Sequence, residues 1–446
     1  MELRTRLENQ LGSEFTIFEN ALNSEPPISI RYNPRKKLRV NSDYDRVPWC
    51  SDGYYLQSRP NFTKDPLFHA GTYYVQEASS MFISYLIRET IELEEDIRVL
   101  DLSAAPGGKS TLIQSLITTN SLLVANEIIG SRNRTLRQNL ARWGGDNHIV
   151  TQSDPRFFAK LPNYFDLILV DAPCSGEGML RKDPAALQAW SGYNVAMCAS
   201  RQKRILADII PSLAPGGVLI YSTCTFSEEE NEKNMLWLLE ESKLELLEVP
   251  VPENWGILGQ KEGLPGYRFY PHRLRGEGFF IAAFRKPGES IVKGKDRQAS
   301  GMKSRFESST SEDSRWISSP DRYMYLMREL NRLAIPKTIA ADYQRISSAL
   351  RITAIGLNMG KLYPRGLKPS PELALSQYVS PDVKRLELDH ERSLDFLAHL
   401  NIKIPEKTAA GRYLVCHQGY GLGWLHKLSS GQPRNNYPTA WRILKR

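Results

Sequence analysis

Two cysteines stand in turn-rich segments able to offer a thiol to a ligand: Cys174 in DAPCSGEGMLRKDP (171–184) and Cys224 in YSTCTFSEEENE (221–232). Each follows an apolar β-type run. The helix dipole favours the thiolate of a cysteine near a helix N-terminus, and a partly exposed thiolate is a competent nucleophile. Cysteines are also common core fillers, and Cys50, Cys198 and Cys416 take that reading. A third segment, VLDLSAAPGGKS (99–110), reads as strand, glycine turn and helix. In open α/β sheets such a turn lets a nucleotide-like ligand approach the backbone closely. It nearly fits the phosphate loop GxxxxGK[ST], but Ser103 occupies the place of the first glycine. The next β-type run ends at Glu127, where a carboxylate suits the two hydroxyls of a ribose, so a nucleoside ligand is favoured over a triphosphate. Asp154 and Asp171 follow the next two runs, so with Asp101 four acids would line one rim of a sheet. Acids at strand ends also serve as helix caps.

Methylation at C5 of a pyrimidine needs this combination of nucleoside cofactor, thiolate and neighbouring acid. C5 is too weak a nucleophile to attack a methyl sulfonium unaided. A thiolate adding to C6, helped by hydrogen bonding or protonation at N3, makes the ring an enamine, and loss of the C5 proton later expels the sulfur. The residue set therefore predicts a covalent intermediate. The residues alone do not rank the two thiols.

The elements that must position these groups alternate from residue 97 onward. Strands are expected at 97–102, 121–126, 147–152, 165–171, 217–223 and 279–284, with helices near 108–117, 131–143, 195–211 and 228–242. Ser227 and Glu230 have the spacing of a capping box that opens the last helix. The fold class is α/β, a doubly wound sheet spanning about 70–288. Residues 287–315 have little apolar periodicity and read as a flexible linker. A helix-like stretch (322–333) then leads into small α+β or β-barrel modules. His69, His148 and His272 are scattered without metal-ligand spacing and read as structural, and no metal is required.

The chain has 446 residues, 41% hydrophobic and 24% charged, enough for two to four domains. It has no apolar run of membrane-span length and no cysteine pairing at disulfide or zinc-site spacing. A soluble protein of a reducing compartment, the cytoplasm, is expected. The net charge of +8 is uneven, −3 over residues 1–288 and +11 over 289–446. A basic appendage on a near-neutral body suits a polyanion such as RNA, and equally serves solubility.

The set DLSAAPGGKS, DAPCSGEGMLRKDP and STCTFSEEENE, followed by PHRLRGEGFFIAAF, resembles the RNA 5-methylcytosine methyltransferases of the Nop/Sun family, which use S-adenosylmethionine. One cysteine in a PC dipeptide and one in a TC dipeptide is that family's hallmark. Beyond the linker, LRITAIGLNMGKL, KPSPELALS and YLVCHQGYGLGWLHKLSSGQPRNNYP resemble the C-terminal region of the bacterial RsmF-type branch, including its PUA-like RNA-binding end. The resemblance implies a Rossmann-like methyltransferase domain at 71–288, after an N-terminal RNA-binding extension at 1–70. A linker at 289–315, a small α+β module at 316–380 and a PUA-like domain at 381–446 would follow. It implies that Ala104, Ala105, Pro106, Gly107, Gly108, Lys109 and Ser110 form the cofactor loop, that Glu127 holds the ribose and that Arg132 contacts the cofactor. Asp154 would lie by the adenine, and Asp171 near the methyl donor and the target base. Cys224 would be the nucleophile, Cys174 would help release the product, and Lys182 would contact substrate. Tyr413, Tyr420, Trp424 and Tyr437 suit stacking on unpaired bases, or else the core of the small domain. The implied partner is small-subunit ribosomal RNA, met by a monomer. Transfer RNA is the alternative substrate, and a non-catalytic ribosome-assembly factor the alternative class.

Overall fold

The computed structural model describes residues 3–38, 43–181, 190–259, 265–289, 306–405, 408–429 and 432–444. Two short helices, Leu3–Leu11 and Phe15–Leu22, open the chain. A three-stranded sheet follows, in which β1 (Ile28–Tyr32) pairs antiparallel with β2 (Gly53–Leu56) and β3 (Tyr73–Val75). This N-terminal layer is built into the rest rather than appended to it. Phe18 lies edge-on to Phe226, and the buried Arg31 donates to Gly108 O and Thr111 Oγ1 beneath the face of Trp143.

The central sheet comprises β4 (Arg98–Asp101), β5 (Leu122–Asn126), β6 (His148–Thr151), β7 (Phe165–Asp171), β8 (Leu213–Thr223), β9 (Glu245–Leu246), β10 (Tyr267–Phe269) and β11 (Phe279–Arg285). The order runs β10-β11-β8-β7-β4-β5-β6, with β9 beside β11. Strands β8 to β6 in this order are mutually parallel, whereas β11 returns antiparallel to β8. Successive strands are Val-, Ile- and Leu-rich and buried, as expected for a sheet covered on both faces. Strand order reverses between β4 and β7, the switch point beyond which open α/β sheets bind ligands. Asp101 and Asp171 end these two strands.

The expected strands and the helices Gly108–Leu116, Gly130–Trp143 and Gly192–Ile209 agree with the sequence reading to within a few residues. The fourth helix begins later, at Glu232, and Ser227 and Glu230 do not form its capping box: Ser227 Oγ donates to Glu229, and the buried Glu230 reaches across to Ser175.

The C-terminal part departs further from expectation. Residues 306–315, within the expected linker, carry β12 (Phe306–Glu307) and the helix Ser311–Ser314. Apart from Arg322, which ends the 3-10 turn Pro320–Arg322, residues 322–333 are not helical. They lie in the hairpin of β13 (Tyr323–Arg328) and β14 (Asn331–Pro336), turned at Glu329 with φ of 56°. The physical reason is that this segment serves two cores. Tyr323, Tyr325 and Ala334 face the cluster of Trp424 and Leu414, while Leu326, Leu333 and Ile335 face the cluster of Phe165 and Ile149. Alternation along a hairpin gives two apolar faces, which one helical stripe does not.

Strand β15 (Ile352–Ile355) then joins the central sheet, antiparallel to β6, so the sheet does not end with residue 288. Strands β16 (Leu357–Tyr363) and β17 (Gly366–Pro369) complete the sheet of β12 to β14. The last sheet holds β18 (Arg385–Glu387), β19 (Gly411–His417), β20 (Tyr420–Lys427) and β21 (Arg434–Asn435). Within this last unit Tyr413, Trp424 and Tyr437 are buried, and Trp424 Nε1 donates to Ser370 O at 2.6 Å. These three are core residues, not stacking platforms, and only Tyr420 is half-exposed. His69 and His148 are likewise buried, their pKa values lowered to about 4 by desolvation.

Candidate active site

The sulfurs of Cys174 and Cys224 lie 3.3 Å apart. They come from loops following β7 and β8, which are hydrogen-bonded neighbours, so adjacent strand ends bring together residues fifty positions apart. Both residues are half-buried. The hydrogen bond from Cys174 favours the Cys224 thiolate against the cost of burial, and the nearby Lys109 ammonium adds to it, so the Cys224 pKa is lowered. The same bond, with burial, pushes the Cys174 thiol well up. The pair is therefore asymmetric, a thiolate at Cys224 and its thiol donor at Cys174.

Asp171 closes the other side. Its Oδ2 pairs with Lys109 Nζ at 2.8 Å and its Oδ1 accepts from Ser222 Oγ at 2.9 Å. Burial opposes the Lys109 charge, but Asp171 more than offsets it and the lysine pKa is raised. Lys109 reaches this position because Gly107, at φ of 113°, turns the chain from β4 into the helix Gly108–Leu116. Asp101 lies fully buried below. Ser110 Oγ donates to its Oδ2 at 2.6 Å and its Oδ1 has no partner. Burial, aided by the neighbouring Asp171 and Glu127, raises the Asp101 pKa to about 7.

At the end of β5, Glu127 is buried, with Oε1 accepting from Ile129 N at 2.8 Å and Oε2 3.6 Å from Arg132 Nε. Arg132 also donates to Ala105 O at 2.8 Å, tying the turn Ala104–Ser110 to the neighbouring strand end. Asp154, half-exposed at the end of β6, caps the 3-10 helix Pro155–Lys160 through Arg156 N.

The family described as 16S rRNA methyltransferase RsmB/F matches residues 89–285. The N-terminal domain of 16S rRNA methyltransferase RsmF matches residues 2–78, and the methyltransferase RsmF PUA domain matches 383–443. A ribosomal RNA small subunit methyltransferase F of Vibrio vulnificus is 31% identical, over 94% of this chain and 95% of the relative. One from Serratia proteamaculans is 32% identical, over 91% and 89%. The chain belongs to the RsmB/F methyltransferase family. A solved methyltransferase homologue from Pyrococcus horikoshii, 32% identical, covers 63% of this chain and 93% of its own with a TM-score of 0.54. The likeness includes the Rossmann-like α/β fold class.

Of the family positions expected from sequence, the rim pairs Lys109 with Asp171 and Cys174 with Cys224 at bonding distances. Glu127 and Arg132 pair beside the glycine turn. Lys182 lies outside the described residues. Sequence reasoning missed Ser222, which fixes Asp171, and Arg31, which holds Gly108 from the N-terminal sheet. Ser222 sits two residues before Cys224 in the same motif, a signal that was available. Arg31 gave none, since its partners are 77 and 80 residues away. The turn and the acids fit a nucleoside sulfonium. Asp101, at the end of β4, keeps a partnerless buried carboxylate oxygen, and the Glu127 carboxylate follows the end of β5.

Proposed function

We propose that this methyltransferase modifies C5 of cytosine in small-subunit ribosomal RNA, through a covalent bond between Cys224 Sγ and C6. The observation that carries this reading is the 3.3 Å sulfur pair beside Lys109 and Asp171. The family descriptions and the relatives' names supply the ribosomal RNA. When bound, S-adenosylmethionine supplies an electrophilic methyl group. Residues Ala104 to Ser110 with Glu127, Arg132 and Asp154 hold that cofactor, Glu127 taking the ribose hydroxyls. Asp171 faces the base edge carrying N3, held by Lys109 and Ser222. The Cys224 thiolate adds to C6, forming the S–C6 bond and moving electron density to C5 and N3. In the release step the C5 proton leaves to a base, the C5–C6 double bond returns, and the C6–S bond breaks to regenerate the thiolate. Cys174 serves this step as hydrogen donor to the departing sulfur.

Under this reading residues 1–70 and 381–446, with Lys182, contact RNA around the methyltransferase sheet, which β15 extends beyond residue 288. The chain acts as a monomer in the cytoplasm. No described helix is long and apolar enough to cross a membrane. Cys224→Ala is expected to abolish methyl transfer while RNA binding persists, and Cys174→Ala to accumulate a protein–RNA adduct on a denaturing gel. Turnover retained in Cys224→Ala rejects the covalent route. Bisulfite mapping of ribosomal and transfer RNA from cells with and without the protein identifies the substrate; a change confined to transfer RNA overturns the ribosomal assignment.

A further inference from the structure

Two fully buried carboxylates cross between the cysteine loops. Glu177, three residues after Cys174, accepts from Phe226 N at 3.1 Å in the Cys224 loop, from Trp190 Nε1 at 2.7 Å and from Arg6. Glu230, six residues after Cys224, accepts from Ser175 N at 3.0 Å and from Ser175 Oγ in the Cys174 loop. Glu230 Oε2 also accepts from Gln202 Nε2 at 2.8 Å, and the same Gln202 nitrogen donates to Pro173 O at 3.0 Å. Gly178 N donates to Cys224 O at 2.8 Å, and Ser175 Oγ meets Thr225 Oγ1 at 2.9 Å. Each loop thus supplies an acid that binds the other loop's backbone.

Burying a carboxylate is costly unless donors surround it, and an apolar side chain would fill the space without that cost. The donors of Glu230 are therefore informative. Directly or through Gln202 they bracket Cys174, fixing Pro173 on one side and Ser175 on the other. The Cys224 side also has ties of its own that do not pass through the Cys174 loop: Thr223 Oγ1 donates to Asn231 Oδ1 at 2.6 Å and Asn231 Nδ2 donates to Thr225 O at 2.9 Å, one on each side of Cys224. We propose that Glu230 is a positioning residue for product release, clamping residues 173 to 175 so that the Cys174 thiol stays within donor range of the Cys224 sulfur. This rests on the covalent reading above. Loss of the clamp lets the Cys174 loop drift while Cys224 remains placed for attack, so release slows more than addition.

The test uses the full-length chain, S-adenosylmethionine and a cytosine-containing fragment of small-subunit ribosomal RNA. Glu230→Ala is expected to lower steady-state methyl transfer at least tenfold with an unchanged KM for RNA, and to accumulate the covalent protein–RNA species. Without RNA, the pH profile of Cys224 alkylation by iodoacetamide is expected to move upward, because the thiol donor is displaced. Glu230→Gln keeps an acceptor for Ser175 N and is expected to restore part of both. If Glu230→Ala does not fold, Ser175→Ala, which removes one of the clamped groups, is read in the same assays. A folded variant with wild-type turnover and alkylation profile overturns the proposal, as does slow turnover with neither adduct nor altered profile. The alkylation profile needs no RNA chemistry, so failure of the covalent reading, seen as turnover in Cys224→Ala, is separable from failure of the clamp.

Discussion

Lys109 Nζ stands 2.8 Å from Asp171 Oδ2, joining the helix that follows the glycine turn to the end of β7. The pair sits where the strand order reverses and couples the cofactor turn to the thiol pair, because the same ammonium favours the Cys224 thiolate. Replacing Lys109 by Met is therefore expected to slow alkylation of Cys224 at neutral pH.

Cys174→Ala should have the larger effect on that thiolate, since its hydrogen bond is the leading cause of the lowered Cys224 pKa. The alkylation midpoint of Cys224 is expected to rise, and an unchanged midpoint contradicts the asymmetric pair.

Asp101 links the site to stability. Its pKa in the folded state is about 7, above the ordinary carboxylate value because of burial. The folded state holds this proton where the unfolded chain has lost it. The contribution is thus fully present below about pH 4 and is lost as pH rises to about 7. Asp101→Asn keeps an acceptor for Ser110 and removes the titration. The difference in melting temperature between Asn variant and wild type is expected to grow in favour of the variant from pH 4 to 7, then level off.

Glu127→Gln removes the carboxylate that faces the proposed ribose. Loss of a charged hydrogen-bond acceptor corresponds to about tenfold to a hundredfold weaker binding. Calorimetric titration with S-adenosylmethionine should show it, with melting of the free protein little changed. Equal affinity in the two proteins would remove Glu127 from the cofactor site.

The basic C-terminal region needs a gentler test than deletion. Ile346, fully buried in the core shared with the central sheet, is expected to cost about 2–5 kcal/mol on truncation to Ala, and cutting the chain at residue 289 strips β15 from β6 and should yield insoluble protein. Charge is better probed at Arg365 and Lys384, exposed beside a cavity of about 640 Å³ also lined by Arg315 and Arg412. Changing Arg365 and Lys384 together to Gln is expected to flatten the salt dependence of RNA binding by about two units of slope. An unaltered slope would remove this face from the RNA contact.

The sequence by itself determined the parallel strands, the glycine turn and the identity of the reactive groups, because period and turn chemistry act over a few residues. Apolar runs such as FDLILVD and GVLIYST can bury both faces only in a covered sheet, and Gly107 and Cys224 carry their chemistry in their side chains or lack of one. Tertiary structure decided which groups meet. Glu230 has the spacing of a helix cap, yet Ser175 and Gln202 offered it donors that only the folded chain brings near. Residues 322–333 have a helical pattern, but two cores on opposite sides drew them into a hairpin. The donation of β15 to a sheet begun 250 residues earlier, and the burial of Trp424 under Ser370, depend on packing that no local window contains.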